Sequence, residues 1–364
     1  MKYQWDKKEI IKNYLNCIKK VIKDKNNYDL LCDLDYLKDM LRAILKIPDI
    51  YPDILKKINF KHDLLCDYDF TLYDLTNFQK NMLENIINNA LEENFSLFGI
   101  INPSNNNFDY IPYLEKFLKE ISPILYYELK TTIDDKKLYV DDSKRDLSFC
   151  GCCYSPVNKN YYQIMKDNSN NMFSTLSHEL IHGIINTLSN RKFDKDKNVV
   201  LYREVGSILI ELYANEYLFN KKLEDEEEYI YNFNRIYIGN IYSDIEITDF
   251  LYRLSKLDIN KNAKNIKNLI NKEKEKNPNY DFELYELTDI PLKNYLIYLY
   301  SSSIALAIYE KYKDNFKDGI NASLDIMLNI TDENEKELLE KYDLDITEAL
   351  NIYKKENNSL VKNI

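Results

Sequence analysis

The sequence predicts a mainly α protein with one small β-sheet. An N-terminal helical lobe is expected over residues 1–135, then a lobe over 136–364 in which a sheet at about 137–167 precedes further helices. Three observations predict this. Six Gly and eight Pro in 364 residues are too few for the tight turns of a sheet-rich fold. Apolar residues recur at helical spacing through most of the chain. Only the stretch 137–167 departs from that rhythm, with short aromatic or β-prone runs between polar turns.

In the first lobe, Ile10, Ile11, Tyr14, Leu15, Ile18 and Ile22 mark the apolar side of a helix, with lysines opposite. Similar stripes run through 30–45 and 75–97. Pro48, Pro52 and Pro103 punctuate them, because proline removes a helix N–H and clashes with the preceding turn. The runs 137–140 (KLYV), 147–150 (LSFC) and 161–165 (YYQIM) read as strands. From Asn170 onward the helical rhythm returns, with one helix expected over about 171–190 and no internal repeat. The acidic run 224–228 and the lysine-rich 261–276 read as solvated helix faces or loops.

Charge and composition exclude several classes of function. With 49 Lys+Arg against 60 Asp+Glu the net charge is −11, whereas a dedicated nucleic-acid binder is normally basic. The uncharged run 295–309 has 15 residues, short of the roughly 18–20 that span a bilayer, and contains four Tyr and three Ser. Residues 1–15 are charged throughout and lack the apolar core of a secretory signal. Six cysteines in a chain of this length are not a disulfide scaffold. The expected setting is therefore a reducing cytoplasm, with neither nucleic acid nor membrane as partner. The oligomeric state is not specified.

Chemistry is concentrated at 174–183 (STLSHELIHG), which contains His-Glu-x-x-His. On a helix, positions i and i+4 share a face, so His178 and His182 can converge on one metal ion. Glu179 lies about 100° round the helix from His178, beside the ion, where it can take a proton from an attacking water. Two of the chain's three His fall in this motif, and the third, His62, lies more than 100 residues upstream. Phe173, Leu176, Leu180, Ile181, Ile184, Ile185 and Leu188 make the helix fit for burial, where unpaired polar groups are costly. A catalytic zinc site takes three protein ligands, so a carboxylate from a later helix should complete the set. The run 201–219 offers Glu204, Glu211 and Glu216. Glu204 and Glu211 are two turns apart, and Gly206 and Ser207 between them are small enough for close helix approach. One glutamate could ligate while another orients a histidine.

The order of these motifs resembles the M3 peptidase family of thimet oligopeptidase and oligoendopeptidase F, the latter branch above all. It runs through a cysteine- and serine-containing turn at 150–155 (CGCCYS), an edge strand at 161–166, the helix motif at 174–183, the run 203–218 and the segment 295–309. The resemblance covers roughly 147–313, about half of the chain. It implies a zincin-like helical catalytic lobe holding one Zn²⁺ per chain. It places the third ligand on Glu204 and its orienting partner on Glu211. It also assigns Tyr161, Tyr162, Gln163 and Ile164 to a strand that pairs with the backbone of an extended peptide. The implied activity is a zinc metallopeptidase acting on short unstructured peptides, with Glu179 as general base.

The departures are specific. Ile181 stands where the family motif has Gly, Ile185 where it has a further His, and Met172 where an acidic residue is usual. No His follows His182, so the family's late histidine has no counterpart. Tyr298 and Tyr300 match its Tyr-x-Tyr and are the candidates for stabilising the oxyanion. Cys150, Cys152 and Cys153 do not have a zinc-ligand spacing and read as packing residues. Two alternatives stay open: a catalytically silent zinc protein that captures peptides, and a helical interaction protein with a relict motif.

Overall fold

The computed structural model describes residues 7–24, 75–90, 109–141, 151–155, 160–166, 172–190, 192–195, 199–234, 292–331 and 333–361, with positions 30, 33, 34, 37, 236, 240, 241 and 272. The first helices are α1 (Lys7–Lys23), α2 (Asn77–Ala90), α3 (Tyr110–Ile121) and α4 (Pro123–Asp134). Strands β1 (Leu138–Asp141), β2 (Gly151–Ser155) and β3 (Asn160–Lys166) follow. Then come α5 (Met172–Leu188), α6 (Lys192–Lys195), a 3-10 turn (Val200–Tyr202), α7 (Val205–Asn220) and α8 (Glu226–Asn234). The chain closes with α9 (Leu292–Tyr312), α10 (Phe316–Asn329), α11 (Glu335–Lys341) and α12 (Ile346–Val361). A mainly α fold with one small sheet is what the sequence predicts.

On α1 the core takes Ile10, Tyr14, Cys17, Ile18 and Val21, while Ile11, Leu15 and Ile22 are 38%, 51% and 40% exposed. The buried stripe is thus rotated from the expected one, because Cys17 and Val21 sit on the inner side. The joint between α3 and α4 is written locally. Ser122 accepts from the Leu125 N–H at 3.4 Å, and Pro123 follows at the first helical position, where a missing N–H does no harm. His62, Pro48, Pro52 and Pro103 lie outside the described residues, as does nearly all of 261–276.

The sheet has the order β1-β3-β2. β1 runs parallel to β3, with Leu138 opposite Gln163, and β2 runs antiparallel to it, with Cys152 also opposite Gln163. The second described strand is 151–155, and the expected strand at 147–150 lies outside the described residues. The CGCCYS segment is accordingly strand from Gly151 onward rather than turn, since its Cys and Tyr residues fit a pleated ladder against β3. The sheet packs on α5 at Gly183, where an added Cβ would lie 3.1 Å from Gln163 Nε2 and 3.7 Å from Cys152 Sγ.

Helices α7 and α9 have almost no polar face, and accordingly they are buried nearly all round. α7 lies between α5, α9 and α10. The approach depends on Gly206, whose N–H points at Met327 Sδ at 3.2 Å. A Cβ there would come within 2.9 Å of that sulfur and 3.2 Å of Ile181 Cγ2. Gly206→Ala is therefore expected to destabilise the fold by about 1–3 kcal/mol through overpacking, read as a lower midpoint in denaturant melting.

One cluster of buried residues runs from Leu75 to Tyr353, so helices on both sides of position 135 share a core. Glu335, 3% exposed, accepts from Thr76 Oγ1 at 2.6 Å, Gln79 Nε2 at 2.8 Å and Tyr202 OH at 3.0 Å. It thereby joins the start of α2 to the turn that precedes Glu204. The acidic run 224–228 is only partly solvated, which corrects its expected placement: Glu224 and Glu228 are buried, and Glu224 accepts from Asn232. Burial pushes the Glu224 carboxyl up to about 7 against that hydrogen bond. Among the described residues, no helix is long and apolar enough to cross a membrane.

Candidate metal centre and active site

Helix α5 carries His178 and His182 one turn apart, and their Nε2 atoms lie 3.1 Å from each other. Glu204 Oε2 lies 3.3 Å from His178 Nε2 and 2.9 Å from His182 Nε2. The residue occupies the N-cap position of α7 and is 2% exposed. Its placement is over-determined. Its backbone N–H donates to Ser301 Oγ on α9 at 3.1 Å, and that hydroxyl donates to Leu201 O at 2.7 Å. Ser207, one turn on, lies 3.0 Å from both Glu204 O and Glu204 Oε2. Arg203 Nε donates to the other carboxylate oxygen, Oε1, at 3.0 Å.

Glu211 Oε1 lies 2.5 Å from His178 Nδ1, where a carboxylate can orient the ring. A carboxylate there holds a proton on Nδ1, so that when the ring gives up its second proton the Nε2 lone pair faces the side of Glu204 and His182. The fit to a cation is geometric. Ligands at about 2.0–2.1 Å in a tetrahedron are about 3.3 Å apart, and the three donor pairs here are separated by 3.1, 3.3 and 2.9 Å. These same residues are the metal-competent cluster found among the described residues. The set of two imidazoles and a carboxylate suits zinc, with a fourth position left for water.

Electrostatics without the metal agree. Burial opposes a charge on His178, yet its hydrogen bonds to Glu204 and Glu211 outweigh this and raise its pKa well above the ordinary value. Burial would raise Glu204, but the charges of His182 and Arg203 and hydrogen bonds from both histidines hold it well below the carboxylate range. At neutral pH the metal-free site thus holds a proton on His178 that a cation must displace. Zinc uptake is expected to release protons and to weaken as pH falls, because acid favours the protonated ring. Calorimetric titration in two buffers of different ionisation enthalpy measures the release.

Glu179 is 8% exposed, and its charge is felt at both His178 and Tyr298. Tyr298 is half-buried, and the negative charge of Glu204, then burial, raises its pKa, so the hydroxyl stays a donor. Tyr300 is a correction. It is fully buried and donates to the backbone carbonyl of Gln79, away from the donor cluster, because positions two apart on a helix face different ways. Glu216 likewise points elsewhere and accepts from Tyr309 OH at 2.6 Å.

The peptide-pairing strand is corrected as well. Among the described residues β3 is the central strand, and Gln163 and Ile164 are paired with β1 on one side and β2 on the other, which closes their backbone to an added strand. Tyr161 and Tyr162 pair with β2, the first buried and the second half-buried. Among the described residues β1 and β2 hold the two edges of the sheet, and β2 sets Cys152 against Gln163 Nε2 at 3.7 Å. Three residues show their contacts with Glu204 only in the structure. Arg203 has a sequence signal as the neighbour of Glu204, and Ser207 as the residue one turn later, but nothing in the sequence ties Ser301 to either.

No protein-family model matches the chain, and no curated protein matches it. Solved structures do. One, described as an oligoendopeptidase F from Bacillus anthracis strain Ames, aligns over 100% of this chain and 71% of its own at 16% identity, with a TM-score of 0.54. PZ peptidase A with an inhibitor aligns over 92% of this chain and 69% of its own at 15% identity and TM-score 0.53. A further oligoendopeptidase F structure covers 100% and 73% at 12% identity and TM-score 0.55. The fold is that of the M3 oligoendopeptidases. The resemblance drawn from motifs over 147–313 therefore extends, as a likeness of fold, to the N-terminal helices.

Proposed function

We propose that the chain is a zinc-dependent metallopeptidase that hydrolyses short, unstructured peptides, with one zinc held by His178, His182 and Glu204. The observation that carries this reading is the convergence of three donor atoms at tetrahedral spacing, with Glu211 fixing the tautomer of one ring. The M3 oligoendopeptidase fold supports it. Zinc held by these residues would supply an acidified water and polarise a peptide carbonyl. Glu179 takes the proton of the attacking water and passes it to the leaving amine. Tyr298 donates a hydrogen bond to the carbonyl oxygen as negative charge develops there. An extended peptide adds to β2 as a further strand, which demands little of its sequence. We assign residues 1–135 to an N-terminal helical lobe and the protein to a reducing compartment, where Cys17 and Cys152 remain thiols.

The test is direct. Purified protein should hold about one zinc per chain and cleave fluorogenic peptides, losing activity to a chelator and regaining it with zinc. Less than about 0.2 zinc per chain would favour an interaction protein with a relict motif. Tyr298→Phe is expected to lower kcat by about 10²–10³ with little change in KM, since one oxyanion donor is lost. Tyr300→Phe should leave kcat near its original value and reduce stability by about 1 kcal/mol, the worth of a buried hydrogen bond.

The absence of any His after His182 favours one second reading, peptide capture without cleavage. In that case zinc-loaded protein binds peptides, and mass spectrometry finds them intact after long incubation.

A further inference from the structure

We infer that Arg203 is the positioning residue that makes Glu204 a one-oxygen metal ligand, an inference that rests on the zinc reading above and deepens it. A carboxylate facing a cation can offer both oxygens at once, which would fill the position that the attacking water needs. In this site the two oxygens are divided between different partners. Oε2 lies 3.3 and 2.9 Å from the histidine Nε2 atoms, with Ser207 Oγ at 3.0 Å. Oε1 is held by Arg203 Nε at 3.0 Å. A charge-assisted hydrogen bond of this kind is among the stronger polar contacts, and it fixes the rotation of the carboxylate about its last bond.

The backbone makes the clasp local. Arg203 closes the 3-10 turn, its N–H donating to Val200 O at 3.1 Å, and the next residue is the ligand. The Arg203 side chain is 37% exposed against 2% for Glu204, so it spans from a buried carboxylate to the surface. Its charge is therefore hydrated at one end and loses little to burial. Its positive charge is also felt at the Tyr298 hydroxyl. A lysine would restore the charge but not the planar donor fork.

Arg203→Gln and Arg203→Lys in the full chain test this, read by chelator competition for zinc and by the visible spectrum of the cobalt(II) form. The unsubstituted protein should show the intense bands of a four-coordinate site. Arg203→Gln is expected to weaken zinc binding about 10–100-fold, as loss of a ligand-orienting partner does, and to dim those bands as Oε1 joins the metal. Arg203→Lys should recover part of the affinity. Melting of the metal-free forms separates this from a general loss of structure, which would move stability without changing the cobalt spectrum. Zinc binding within about twofold of the original, with an unchanged cobalt spectrum, overturns the inference. If Arg203→Gln does not fold, the same result for Arg203→Lys overturns it. Failure of the unsubstituted protein to bind zinc would instead overturn the metal reading, and this inference with it.

Discussion

Glu179→Gln is expected to abolish peptide hydrolysis while leaving zinc in place. The substitution keeps the shape of the side chain and removes only its ability to accept a proton. Glu179 is outside the cluster of His178, His182 and Glu204, so the donors of the metal are unaltered. It is nonetheless close enough for its charge to act on His178 and Tyr298, which puts it beside the reacting groups. A positioned general base contributes about 10²–10⁴ in rate, and in the proposed mechanism Glu179 would also be the acid for the leaving amine, so the loss should fall at the upper end or beyond. The decisive pair of measurements is kcat on a fluorogenic peptide and zinc per chain by atomic absorption. Unchanged hydrolysis in this variant sinks the assignment of the base.

Glu204→Gln should have the largest effect on the metal itself. An amide oxygen carries no charge and is a poor ligand, so zinc affinity should fall by more than about 100-fold and activity with it. The metal-free protein should suffer too. Glu204 is 2% exposed and faces both histidines and Arg203, and removing one member of a buried ion pair costs about 3–5 kcal/mol. The signs at His178 are informative. Its raised pKa depends on Glu204, so in the variant it should drop, and any residual zinc binding should release fewer protons. Melting of the metal-free forms across pH reads the stability change. Glu204 is held well below its ordinary pKa, so its contribution is present above the usual carboxylate range and lost as pH falls through the lowered value. The difference between the two proteins should therefore shrink in acid. A variant that binds zinc as tightly as the original would show that another residue completes the site.

The sequence carries the centre of this site and little of its surroundings. His178 and His182 are legible because helix geometry alone puts i and i+4 side by side, and Glu204 with Glu211 because two turns separate them. Ser301 is not, since its contact with Glu204 joins residues 97 apart, and no local rule links them. Tyr298 and Tyr300 are equivalent as letters, and only the azimuth of α9 separates the one near the donors from the one on Gln79. Strand position is hidden for a similar reason. Alternation reveals that 161–166 is a strand, but whether it lies at the edge or in the middle depends on β1 and β2, which pair with it from either side. A run of charges such as 224–228 is usually solvated, whereas this chain folds Glu224 and Glu228 inward, Glu224 onto Asn232.

The contact between Ile181 and Gly206 bears on how such a centre can change over time. Size is unequally divided across the α5–α7 seam: the bulky partner sits inside the histidine motif and the bare one opposite. Trimming Ile181 to Gly by itself would open a void costing about 2–5 kcal/mol, and enlarging position 206 by itself would jam the seam. A lineage can exchange the two only as a pair or through a weakened intermediate, so the two positions should drift in concert, with strong epistasis between them.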